Sequence, residues 1–155
     1  MKYTAMDIAN WFIWRDNIEN YDNEGDRISL LKLLKLLYYA EGCSLALGRG
    51  DLFSDKIVAW EHGPVVEEVY RAFDNPYKLD CDDTNIIEKI NNDKNTKELL
   101  EQVYQVFGAY TAWALRNKTH SETPWLNATG NGKYLNHEIS RADMKSYFKE
   151  NYIGE

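Results

Sequence analysis

Three histidines, two cysteines and a set of carboxylates are the side chains of this sequence that can hold a metal, attack a bond or move a proton. His62, His120 and His137 have no partners at the spacings typical of zinc ligands, and Cys43 and Cys81 are not paired as C-x-x-C, so no metal site is expected. A nucleophile needs a base and an orienting group within reach. His120, Ser121 and Glu122 supply those atom types side by side, which keeps a small hydrolase using His120 and Glu122 as an alternative, although Ser121 is better explained as a helix cap. Gly130-Asn131-Gly132-Lys133 has part of a phosphate loop, but that motif needs glycine at position 127 and Ser or Thr after the lysine, where this chain has Asn127 and Tyr134. It reads as a surface turn. Gly48-Arg49-Gly50 is likewise a helix stop followed by a turn. No catalytic residue set and no cofactor follow from these residues.

What remains is a group of large, polar-tipped side chains at turns: Trp60, Glu61 and His62 before Gly63-Pro64, then Trp113, Thr119, His120 and Trp125. Two roles are open to them. The indoles can fill the core while the histidines hydrogen-bond turn backbones, or part of the set can line a groove for another protein.

The elements that position these residues are mostly helical. Thr4 and Asp7 form a capping box, and Ala5, Ile8, Ala9, Phe12 and Ile13 repeat at helical spacing behind it, flanked by Trp11 and Trp14. Residues 16–27 are polar and read as a loop. A second helix spans about 30–47, with Ser29 as its N-cap and Gly48 as its stop. Leucines cover most of its circumference and leave Lys32, Lys35 and Tyr39 as a narrow polar stripe, the pattern of a central helix. Leu52-Phe53 and residues 57–60 flank Ser54-Asp55-Lys56 as a small hairpin or two-strand element. Pro64 suits the first position of the helix that follows, whose apolar face continues through Val65, Val66, Val69, Tyr70 and Phe73.

Farther on, Ile86, Ile87 and Ile90 fit helix or strand equally. Asn95 and Glu98 cap a long helix to about residue 117, with Gly108 inside it as a close contact. Ser121 caps a brief helix holding Pro124 and Trp125. Ser140, boxed by Asp143 and stapled by Ile139 and Met144, opens the last helix, which buries Met144, Tyr147 and Phe148. The expected fold is mainly α: a compact helical bundle with a small β-hairpin or two-strand element, in one domain over residues 1–155.

The net charge of -7 disfavours nucleic acid, whose phosphates are bound by clustered Lys and Arg, and suits a basic partner protein better. Asp16, Glu19, Asp22, Glu24 and Asp26, and again Asp80, Asp82 and Asp83, form acidic stretches that serve as solvated loops or as a docking patch. The N-terminus lacks a basic region followed by an apolar core. No apolar run approaches the roughly 18 residues that a membrane span needs. A cytoplasmic protein with reduced cysteines is expected.

The stretch Ala59-Trp60-Glu61-His62-Gly63-Pro64-Val65-Val66-Glu67-Glu68-Val69-Tyr70 resembles the signature of the Panacea, or SocA-like, antitoxin domain. Tyr3-Thr4-Ala5-Met6-Asp7-Ile8-Ala9 resembles the opening helix of that family, and Lys32-Leu33-Leu34-Lys35-Leu36-Leu37-Tyr38-Tyr39-Ala40-Glu41-Gly42 its central helix. Thr119-His120-Ser121-Glu122-Thr123-Pro124-Trp125 resembles its late motif. One departure is Leu34, where the family usually has glutamine. The resemblance implies an antitoxin, encoded beside its toxin in bacteria or their phages, that neutralises the toxin by direct protein binding. In one branch it implies an adaptor that hands the toxin to a AAA+ protease. Taken with the polar-tipped residues at turns, it makes Trp60, Glu61, His62, Gly63, Pro64, Trp113, His120 and Trp125 the residues expected to contact the toxin. Neither the toxin nor the oligomeric state follows from it.

Overall fold

The computed structural model describes residues 3–20, 27–74, 81 and 83–153. The acidic positions Asp22, Glu24, Asp26, Asp80 and Asp82 lie outside the described residues. The elements are α1 (Ala5–Glu19), α2 (Leu30–Ala46), β1 (Val58–Trp60), β2 (Gly63–Val65), α3 (Glu67–Phe73), α4 (Thr84–Asn91), α5 (Lys94–Phe107), α6 (Ala112–His120), α7 (Thr123–Thr129), β3 (His137–Glu138) and α8 (Arg141–Phe148), with a π-helical turn over Lys149–Ile153. The fold is mainly helical, as expected, with a small antiparallel sheet in the order β2-β1-β3. No described helix is long and apolar enough to cross a membrane.

Helix α2 is the axis. Ser29 Oγ accepts from the Lys32 amide at 3.2 Å to start it, and Gly48, at φ 77°, turns the chain away beyond its end. α1, α5, α6 and α8 all pack against it. Lys35 and Tyr39, expected on a polar stripe, are fully buried, so this helix is enclosed where a solvent-facing stripe was anticipated. A Cβ on Gly42 would lie 2.4 Å from the Phe148 ring, which is how α8 comes so close to it.

α1 begins at the expected capping box: the Asp7 amide donates to Thr4 Oγ1 at 3.1 Å and the Thr4 amide to the Asp7 carboxylate at 3.0 Å. It runs past Asp16, which was expected in a loop. Asp16 is buried because it serves as an anchor, accepting from the Ile28 amide at 2.7 Å and the Tyr104 hydroxyl at 2.9 Å.

The hairpin is shifted from its expected place. β1 pairs with β2 across the two-residue turn Glu61-His62, with Trp60 opposite Gly63 and Ala59 opposite Pro64. Pro64 therefore sits in an edge strand, and α3 begins only at Glu67. Ala59 directs its carbonyl to β3, where the Asn136 amide reaches it at 2.8 Å, so the Ala59–Pro64 pair exchanges no hydrogen bonds and the missing N–H of Pro64 costs nothing. Leu52 and Phe53 take no part in this hairpin. Phe53 instead makes a single parallel bridge with Tyr3.

The element left open between helix and strand is settled, and three other boundaries differ. Ile86, Ile87 and Ile90 are helical, in α4, which Asp83 caps by accepting from the Ile86 amide at 3.1 Å. Asp93, not Asn95, caps α5. The expected long helix breaks at Gly108, and Thr111 starts α6 by accepting from the Ala114 amide at 3.0 Å. Ser121 closes α6 rather than opening α7, because its Oγ donates back to the Lys118 carbonyl at 2.8 Å. The last helix starts as expected, with Ser140 Oγ accepting from the Asp143 amide at 3.1 Å.

Gly63 is the tightest point of the hairpin. Its φ is 111°, and a Cβ there would lie 2.6 Å from Lys35 Cε and 2.8 Å from Thr119 Oγ1. Gly63→Ala is expected to cost about 3 kcal/mol, combining backbone strain with overpacking, as a lower urea midpoint at unchanged slope will show.

Candidate surface for partner binding

The hairpin turn and α6 meet at a corner, and the polar-tipped residues singled out in the sequence gather there in two layers. The inner layer is mortar. Trp125 is buried and its Nε1 donates to the Trp60 carbonyl at 3.0 Å. His120 lies 4.0 Å from the Trp125 ring, with Nδ1 2.7 Å from the Arg116 carbonyl and Nε2 2.5 Å from the Glu61 carbonyl. Both partners are acceptors, so a neutral ring donates to one and an imidazolium to both. Gly63 and Pro64 are buried beneath.

The outer layer faces solvent. Trp113 is 55% exposed, its ring centroid 5.8 Å from that of His62. Arg116 lies between them, with Cζ 4.5 Å over the Trp113 ring and Nε donating to His62 Nδ1 at 3.3 Å. Glu61 is also exposed, its carboxylate 3.7 Å from His62 Nε2. Of the eight nominated residues, then, Glu61, His62 and Trp113 are presented outward and Trp60 is half-buried. Gly63, Pro64, His120 and Trp125 hold the corner together.

The atom types of a hydrolase are present but apart. Both nitrogens of His120 face carbonyls, and Ser121 Oγ is spent on the helix end. The Glu122 carboxylate turns instead into an aromatic cluster, where it accepts from the hydroxyls of Tyr38 at 2.8 Å and Tyr39 at 3.2 Å and from that of Tyr152. Burial pushes the Glu122 carboxyl up, against the three hydroxyls and Lys118, which pull it back. The same burial, beside Glu122, raises all three tyrosines.

A second buried carboxylate, Glu41, accepts from the amides of Leu52 at 2.9 Å and Phe53 at 3.1 Å and from Arg141 Nε at 2.8 Å. Arg141 also donates to the carbonyls of Phe53 and Asp55, so one ion pair ties α8, α2 and the segment before β1 together. No group of three or more metal-ligating side chains occurs among the described residues. Cys43 is buried, which pushes its thiol up to about 12, and no disulfide joins it to Cys81.

Sequence reasoning missed Lys35, Arg116 and Tyr70. Lys35 is fully buried under the hairpin and donates to the Pro64 carbonyl at 3.0 Å. Burial, with Arg116 adding to it, lowers its ammonium to about 7. Beside it, between α2, the hairpin and α3, is a cavity of about 250 Å³ lined by Leu31, Leu34, Trp60, Val65 and Tyr70, among others. Leu34, the departure from the family pattern, makes that wall apolar. The signal available in sequence was a lysine between Leu34 and Leu36 in a helix apolar on nearly every side.

The family model described as antitoxin SocA-like, Panacea domain, matches residues 33–126, about three fifths of the chain. The match takes in most of α2, the hairpin, α6 and most of α7, and leaves the resemblance of the opening helix outside it. No curated protein and no solved structure matches the chain.

Proposed function

The chain belongs to the SocA-like, Panacea-domain antitoxin family, and we propose that it neutralises its cognate toxin by direct binding at the outer layer of the corner, through Trp113, His62, Glu61 and the exposed edge of Trp60. Residues 1–155 act as one such domain, in the cytoplasm, by occupying a protein surface and not by catalysis. The observation that carries this reading is Trp113. An indole left more than half exposed, and held by Arg116, which bridges it to His62, is a preorganised anchor of the kind that dominates protein interfaces. The inner layer supports it by fixing the turn that presents His62.

The reading is tested by expressing the neighbouring reading frame alone and together with this protein. Growth arrest by the first and rescue by the second is the expected result. A harmless neighbour, with no other toxin rescued, would sink it. Repeating the rescue in a host lacking AAA+ proteases separates the two modes: rescue that persists there is neutralisation by binding, and rescue lost there makes the protein a proteolytic adaptor.

A further inference from the structure

We propose that the cavity between α2, the hairpin and α3 receives one acidic side chain of the toxin, whose carboxylate accepts hydrogen bonds from Lys35 Nζ and Trp60 Nε1 while its methylenes pack against Leu31 and Tyr70. This rests on the antitoxin reading and names the chemistry of the partner. The donors stand ready and unequally used. Lys35 has three, of which the Pro64 carbonyl takes one. Trp60 Nε1, which can only donate, is the buried side-chain nitrogen or oxygen without a partner among the described residues. Such a group costs free energy until an acceptor arrives.

The walls are apolar, and the carboxylate at the rim, Glu61, is exposed and turned toward His62, 3.7 Å from its Nε2. At about 250 Å³ the cavity suits a single side chain and is below the usual size of a small-molecule site, roughly 300–1,000 Å³. The charge balance agrees. Arg116 from α6 is the charge that acts on Lys35, Glu61 and His62 from the turn and Tyr70 from α3 line the same cavity, and among the described residues no carboxylate offsets the burial of Lys35. Burial holds its ammonium down at about 7, and a carboxylate arriving beside it restores the charged form. Association therefore takes up a proton above neutral pH.

The test is titration calorimetry of the purified product of the neighbouring reading frame against the wild type, Lys35→Met and Trp60→Phe. Lys35→Met fills the same space without the charge and is expected to bind about thirtyfold more weakly; Trp60→Phe, lacking the N–H, about fivefold more weakly. Between pH 7.5 and 9 the wild-type affinity should fall by up to about tenfold per unit, and that slope should be absent in Lys35→Met. Wild-type binding with an unchanged Lys35→Met affinity and pH profile overturns the acidic-side-chain assignment and leaves the antitoxin reading standing. No binding by the wild type overturns both. Should Lys35→Met fail to fold, the wild-type profile decides, and a flat one overturns the proposal.

Discussion

Arg141→Ala is expected to remove about 3–5 kcal/mol of stability, a large part of what holds a domain of this size together. The reason is what it leaves behind. Glu41 is fully buried, and without Arg141 Nε at 2.8 Å its charge keeps only the two amides of Leu52 and Phe53. Burial then pushes its carboxyl up without a cation to oppose it. The carbonyls of Phe53 and Asp55 lose a donor at the same time. Arg141→Lys keeps the charge but not the fork of donors, so it should recover only part of the loss. Urea denaturation followed by far-UV circular dichroism measures both, and an Arg141→Ala midpoint equal to that of the wild type would show that the ion pair contributes nothing.

Glu122→Ala should be comparably severe, at about 3–5 kcal/mol, because three tyrosine hydroxyls converge on one carboxylate and each loses its acceptor while a cavity opens. Glu122→Gln retains the shape and one acceptor oxygen and should cost about 1–2 kcal/mol. The pH dependence distinguishes the two effects. Burial raises the folded carboxyl above 4.5, so between that value and its folded one the native state binds more protons than the unfolded chain. Wild-type stability relative to Glu122→Gln is therefore greatest below about pH 4.5, declines as pH rises through the raised value, and is constant above it. A difference independent of pH across this range would remove the titration from the account.

The same two carboxylates show where sequence reading reaches its limit. Helix starts were legible where a cap bonds three residues ahead, as at Thr4 and Ser140, because the contact is local. The centrality of α2 was legible because leucines surround it. Pro64 was misplaced because the first turn of a helix and an edge strand tolerate the same absent N–H, and only pairing with Ala59 decides between them. Gly108 was read as a contact inside one helix because the apolar spacing of α5 continues in phase into α6. Lys35 and Tyr39 were assigned to a polar stripe because nothing local shows that the hairpin lies over one and Glu122 beneath the other.

For the candidate surface, residue types pointed to the right corner but not to its layers. His120 and Trp125 resemble interface residues in sequence, yet the carbonyls of Glu61, Arg116 and Trp60 occupy them. Trp113 lies in none of the stretches that carry the family resemblance, and the fold leaves it exposed beside Glu61 and His62.

The most direct test of the toxin-binding corner is therefore the affinity of the purified toxin for Trp113→Ala, with Tyr134→Ala as a control at an equally exposed aromatic on the turn before β3. Neither change should alter stability by more than about 0.5–1 kcal/mol. The account predicts that Trp113→Ala weakens binding at least about thirtyfold, the loss of an interface anchor worth about 2 kcal/mol, while Tyr134→Ala binds as the wild type does. Wild-type affinity in a folded Trp113→Ala protein would contradict it.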